Sequence, residues 1–207
     1  DTIANITNAQ GGASAAFSET PLEKWLRKYN STPEEWAKCV QNFMFSSAGY
    51  CVATFVLGVG DRHNDNIMLQ ESGDLFHIDF GHFLNHRKYL AGFIARETAP
   101  FIFTKMYAKV LGKKNSEMFN KFLENGSKAY NILRKNAAVI MMLFILMLGT
   151  GIPELQSTKD IEWLRKCLRL DKSDEDASLH FKKLVNKALS NTRAQINDAA
   201  HIQIHKE

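Results

Sequence analysis

Between Phe43 and Leu57 the chain is apolar nearly all the way round a helical wheel. A helix of that kind has no face to give to water, so it must lie in the middle of a domain with other elements wrapped around it. Thr32-Pro33 supplies a cap followed by proline in the first turn, and from there to about Leu57 the sequence reads as one long helix. Gly58 and Gly60 stop it, and the chain enters its next stretch with the backbone freedom that glycine gives. A buried helix feeding a polar loop is a rigid support for chemistry that needs fixed positions.

That loop runs from Gly58 to Gly81 and reads GVGDRHNDNIMLQESGDLFHIDFG. Two polar clusters, Asp61-Arg62-His63-Asn64-Asp65-Asn66 and Asp79-Phe80-Gly81, flank two short apolar segments, Ile67 to Leu69 and Leu75 to Ile78. Glu71-Ser72-Gly73-Asp74 carries turn residues, so the segments are expected to pair as a β-hairpin with both clusters at its open end. The amide of Asn66 and the carboxylate of Asp79 are hard oxygen donors, few in number, which suits a magnesium ion that keeps water and phosphates in its remaining positions. Asp61 precedes Asn66 by the separation found between the catalytic Asp and the metal-binding Asn of protein kinases, in which a D-F-G supplies the other metal ligand. The triplet here is reversed, Asp-Arg-His, which points to a different branch of the kinases.

Gly60-Asp61-Arg62-His63-Asn64-x-Asn66-Ile67-Met68 followed by Phe76-His77-Ile78-Asp79-Phe80-Gly81-His82 resembles the catalytic and activation loops of the phosphatidylinositol 3-kinase family, closest to its class I type. Ala48 to Thr54, Ala99 to Thr104 and Met147 to Leu155 are similar to further segments of the family. The resemblance implies a mainly α fold with a small embedded β-hairpin, the C-lobe of a protein-kinase-like domain over residues 1–190. Its catalytic loop would be 58–66 and its activation loop 79–101, with a tail at 191–207. No glycine-rich phosphate loop or strand lysine precedes these blocks, so the N-lobe is expected to be absent and the isolated piece to be inactive.

The implied reaction moves the terminal phosphoryl of ATP to the 3-hydroxyl of a phosphoinositide, with Mg2+ held by Asn66 and Asp79. Spacing nominates Asp61 as the base and the resemblance nominates His63; an imidazole suits the task at neutral pH, so His63 is favoured and Asp61 is given an orienting or electrostatic part. Arg62 is expected to hold the loop together, and His82 resembles a histidine near the terminal phosphate. Met68, Phe76 and Ile78, with Asp79, match nucleotide-site positions. His77 reads as structural and Asp65 as a solvated carboxylate. His86, Arg87 and Lys88 match the first basic cluster that meets the inositol phosphates, while the second is reduced to Arg96. The lipid head group therefore stays open among the unphosphorylated, 4-phosphate and 4,5-bisphosphate forms.

The formal net charge of +4 comes from basic residues spread along the chain, which offers no nucleic-acid footprint. Cys39, Cys51 and Cys167 have no metal-like spacing and read as buried free thiols in a reducing, intracellular setting. Residues 1–19 look irregular, Thr20-Pro21 opens a helix, and five helices are expected after Thr104. Among them, the apolar run Ala137 to Leu148 is too short for a bilayer and reads as a core helix. His82 to Pro100 shows no period and reads as a loop. The tail from Asn191 has no aromatic residue and little apolar face. Expected partners are a lipid at the membrane surface, the N-lobe and other domains of the same polypeptide, and a regulatory subunit; the expected location is the cytoplasm, peripheral at membranes when active. The competing readings are a related protein kinase, a phosphatidylinositol 4-kinase, or a non-catalytic scaffold derived from the family.

Overall fold

The computed structural model describes residues 1–11, 18–86 and 99–191, together with the strand backbone at 89–90 and 94–95. In chain order the elements are α1 (Ile3–Asn8), α2 (Pro21–Tyr29), α3 (Pro33–Val56), a 3-10 turn (Asn64–Asn66), β1 (Ile67–Leu69), β2 (Leu75–His77), β3 (Tyr89–Leu90), β4 (Ile94–Ala95), α4 (Lys105–Val110), α5 (Glu117–Lys135), α6 (Ala137–Leu146), α7 (Thr158–Leu168) and α8 (Asp174–Leu189). The fold is mainly α with a small hairpin, as the sequence implies.

α3 is the axis. At its start the Thr32 hydroxyl accepts from the Glu35 N–H (3.2 Å), and the Glu35 carboxylate accepts in return from the Thr32 N–H (3.0 Å). Along its second half Phe43, Met44, Ala48, Cys51, Val52, Phe55 and Val56 are buried. α5, α7 and the β1–β2 hairpin pack around it, and α8 packs behind α5. Phe55 collects aromatic neighbours from every side: Phe101, Tyr130, Trp163 and His180 all have ring centroids within 6.0–6.3 Å. The three cysteines are buried and free, and burial lifts the thiol pKa of Cys39 to about 11.

The end of α3 is sealed by α7. The Trp163 indole N–H donates to the Val56 carbonyl (3.1 Å), as does the Cys167 thiol (3.4 Å), so a terminal acceptor of the helix is satisfied without water. Gly58 follows with φ of 58°, and a Cβ there would lie 2.5 Å from the Asn85 nitrogen and 2.6 Å from Trp163 Nε1. Only glycine allows the chain to turn so close beneath the indole.

The hairpin is antiparallel, with Ile67 opposite His77, Met68 opposite Phe76 and Leu69 opposite Leu75. Its alternation is clean: Ile67, Leu69, Leu75 and His77 face the core, while Met68 and Phe76 lie on the outer side.

Three expectations are corrected. Residues 1–19 are not irregular throughout, because Ile3–Asn8 is helical: the Thr2 hydroxyl caps it by accepting from the Asn5 N–H (3.1 Å), and Ile3 and Ile6 sink into the core. Tertiary burial stabilises a helix too short to stand alone. The stretch after His82 is not loop throughout, since Tyr89–Leu90 pairs antiparallel with Ile94–Ala95.

The largest correction is α6, which is not a core helix. Of its residues Ala137 alone is buried; Val139, Met142, Leu143 and Ile145 are about half exposed, and Leu146 is 70% exposed. The chain bends by 61° between α5 and α6, swinging α6 off the α3 axis and onto α7. Composition reported a helix that needs cover, and among the described residues that cover is one-sided.

Gly126, inside α5, has a packing reason. A Cβ there would lie 2.3 Å from Cε1 of Phe181, the α8 ring that fills the gap between the two helices. Helix propensity alone favours Gly126→Ala by about 1 kcal/mol. The clash should reverse the sign, and chemical denaturation should show the variant less stable by about 1–3 kcal/mol.

Candidate active site

Backbone hydrogen bonds bring the two polar clusters together. The Gly60 N–H donates to the His82 carbonyl (2.9 Å), Leu84 N–H to Leu57 (2.7 Å), and Asn85 N–H to Gly58 (2.9 Å), so the chain leaving the hairpin is laced to the chain entering it. The Ile78 N–H donates to the Asn66 carbonyl (3.0 Å) and closes the open end of the hairpin.

Arg62 ties the lacing from within. Its side chain donates from Nε to the Gly60 carbonyl (2.9 Å), from Nη1 to the Ile78 carbonyl (2.8 Å) and from Nη2 to the Asp79 carbonyl, and the residue is 6% exposed. Phe80 covers the guanidinium with its ring centroid at 5.6 Å. A planar fork of five donors suits a job in which several carbonyls must be met at once.

Within the first cluster, the Asn66 amide nitrogen donates to the Asp61 carbonyl (2.9 Å) and lies 3.2 Å from His63 Nε2. If that nitrogen donates, His63 Nε2 accepts, and the ring proton sits on Nδ1, 3.6 Å from the Asp65 carboxylate. In the second cluster Asp79 is exposed, with its Oδ1 3.4 Å from the Gly81 N–H. Asp61 and Asp79 both occupy the left-handed backbone region, φ 55° and 58°, and Leu84 and Asn85 beside them do so too. Non-glycine residues there carry strain of order 1–3 kcal/mol each, and such residues gather at functional sites.

Met68, Phe76 and the exposed Ile78 share the outer side of the hairpin, an apolar ledge next to Asp79. His77 points the other way, stacked on Tyr50 at 5.1 Å and buried, as its structural reading requires. His82 Nδ1 stands 3.6 Å from Glu154, and His86 Nε2 stands 3.4 Å from Asp160. Arg87, Lys88 and Arg96 lie outside the described residues. Asp65 is the solvated carboxylate expected, its side chain 43% exposed, and it also stands 3.6 Å from His63 Nδ1; sequence spacing points to neither Glu154 nor Asp160 as a site residue. For Glu154 a signal was present in the Met147 to Leu155 segment, but it carried no role; nothing in spacing brings Asp160 to His86.

The phosphatidylinositol 3- and 4-kinase family model matches residues 5–157, and the chain belongs to that family. It is 50% identical over 207 residues to phosphatidylinositol 3-kinase 3 of Dictyostelium discoideum, covering all of this chain and 12% of that protein. It is 50% identical over 205 residues to phosphatidylinositol 3-kinase 2 of the same organism, covering 99% of this chain and 11% of the relative. To the human phosphatidylinositol 4-phosphate 3-kinase C2 domain-containing subunit beta it is 42% identical over 192 residues, covering 92% of this chain and 12% of that protein. The chain thus spans about an eighth of the length of these relatives.

Burial, and then the charge of Arg62, push the His77 pKa from 6.5 down to about 3. The folded state keeps the ring neutral where the unfolded chain takes up a proton, so stability is fully present above about pH 6.5 and falls as pH drops towards 3. His77→Phe keeps an aromatic ring against Tyr50 and removes the titration. Its melting temperature should fall less than that of the unaltered protein between about pH 7 and about pH 5.

Proposed function

We propose that the polypeptide containing this chain is an ATP-dependent phosphatidylinositol 3-kinase and that these residues form the C-lobe side of its active site. The observation that supports this most is the lacing of the Asp61-to-Asn66 cluster to Asp79 through Arg62 and the Gly60–His82 hydrogen bond. Phosphoryl transfer gains chiefly from positioning and charge neutralisation, and this is an arrangement that positions.

The donor set fits a magnesium ion. The Asn66 amide is held by its nitrogen, which leaves its oxygen as the ligand atom, and the exposed Asp79 follows Ile78, whose N–H donates to the Asn66 carbonyl. These two residues would hold the ion, which when bound neutralises phosphate charge. The ledge of Met68, Phe76 and Ile78 would take the adenine. His63 would accept the proton of the inositol 3-hydroxyl at Nε2, with the substrate hydroxyl taking the place of the Asn66 N–H at that nitrogen, as the hydroxyl oxygen bonds to the γ-phosphorus and the bond to the β–γ bridging oxygen breaks, leaving ADP with the electron pair. Asp65 faces the far nitrogen of the ring and would stabilise the imidazolium so formed. Asp61 would shape the loop and its potential.

The nucleotide-binding lobe and any regulatory subunit would come from outside this chain, which on its own would be inactive. The enzyme would work at the cytoplasmic face of a membrane. His86 is shared with Asp160, so it is less available to a lipid phosphate than a free cation, and the relatives' names include phosphatidylinositol and its 4-phosphate. These two lipids are the proposed substrates.

The test uses the longest natural polypeptide containing the chain, magnesium-ATP, and vesicles holding phosphatidylinositol, its 4-phosphate or its 4,5-bisphosphate. The expected product is 3-phosphorylated and falls by at least about a hundredfold in Asp79→Ala. No product on any lipid, with magnesium-ATP binding also absent, would favour the scaffold reading.

A further inference from the structure

The segment Met147 to Leu155 has so far no part in the chemistry, yet it is built to hold one side chain still. Gly149 and Gly151 take positive φ values of 84° and 86°, and the Thr150 hydroxyl and N–H both reach back to the Met147 carbonyl (2.7 and 3.2 Å). Leu155 is fully buried and anchors the end of the turn. Immediately after it, the Gln156 and Ser157 N–H groups donate to Asp160 (3.0 and 2.8 Å), locking the entry to α7. Between these anchors sits Glu154, its side chain 14% exposed, with Oε1 3.6 Å from His82 Nδ1. Among the described residues no lysine or arginine competes for that carboxylate.

His82 is fixed at its backbone, because its carbonyl accepts from Gly60 N–H (2.9 Å). What the backbone leaves free is the rotation of the ring. A carboxylate 3.6 Å from Nδ1, a charge contact just beyond hydrogen-bond length, favours the ring orientation that turns Nδ1 towards Glu154 and leaves Nε2 as the open nitrogen.

We propose that Glu154 is a positioning residue for phosphoryl transfer, acting through His82: it holds the Nδ1 side of the ring so that Nε2 serves the transferring phosphoryl group. This rests on the kinase reading given above. Glu154 itself touches neither substrate in this assignment, and its effect passes entirely through the imidazole.

The experiment measures both lipid phosphorylation and lipid-free ATP hydrolysis by the longest natural polypeptide, as unaltered protein, Glu154→Gln, His82→Ala and the double variant, with Glu162→Gln on the exposed face of α7 as control. Glu154→Gln should lower kcat about tenfold. Its KM for ATP should stay within about twofold, since ground-state binding is untouched. In the His82→Ala background the same substitution should remove nothing further, because residues acting as one unit do not lose additively. Unchanged kcat, additive losses, or a loss matched by a fall in melting temperature that the control lacks would overturn the assignment. An unaltered protein that hydrolyses ATP but modifies no lipid would overturn the lipid substrate alone, with Glu154 then judged on hydrolysis. One that does neither would overturn both.

Discussion

A helix without a solvent face sets the plan of this domain. Because the second half of α3 must be enclosed, α5, α7 and the hairpin are committed to its sides, and Phe55 becomes the meeting point of rings from four other segments. The enclosure has a direction. At the C-terminal end Trp163 and Cys167 close off the Val56 carbonyl, and the candidate site begins two residues later. The loop therefore leaves from a point that cannot drift, and small changes in the distant α7 are felt at Gly58 through a contact that leaves no room for a methyl group.

Downstream of that point, rigidity passes from apolar packing to a buried cation. Arg62 meets main-chain carbonyls from the chain entering the hairpin and the chain leaving it, so loop geometry is set by hydrogen bonds of fixed direction instead of by side-chain bulk. Charge-assisted bonds are among the stronger ones available in a protein interior. They help to hold Asp61 and Asp79 in backbone conformations that aspartate adopts only at some expense.

Much of this was legible in the sequence. Thr32-Pro33 marks a helix start that the structure uses as a cap, and the two apolar segments around Glu71 to Asp74 pair as the expected hairpin. What spacing could not carry was long-range pairing of charged groups. Glu154 lies 72 positions from His82 and Asp160 lies 74 from His86, so only the fold brings them together. The misreading of α6 has a different origin. Hydrophobicity says that a helix requires cover but not where the cover comes from, and the bend after Lys135 turns that requirement outward. The early helix at Ile3 was hidden for the opposite reason: six residues carry little local signal, and burial against the rest of the core supplies what propensity does not.

The left-handed backbone at Asp61 and Asp79 sets two selective pressures against each other. Glycine would relax either position, so a lineage selected for stability alone would drift towards it, whereas one that needs the carboxylates must retain strained aspartates and recover the difference in its core. Persistence of aspartate at both positions through a series of descendants would thus record that the site was in use. Replacement by glycine would be the expected first trace of its abandonment, visible in the gene well before the fold itself began to change.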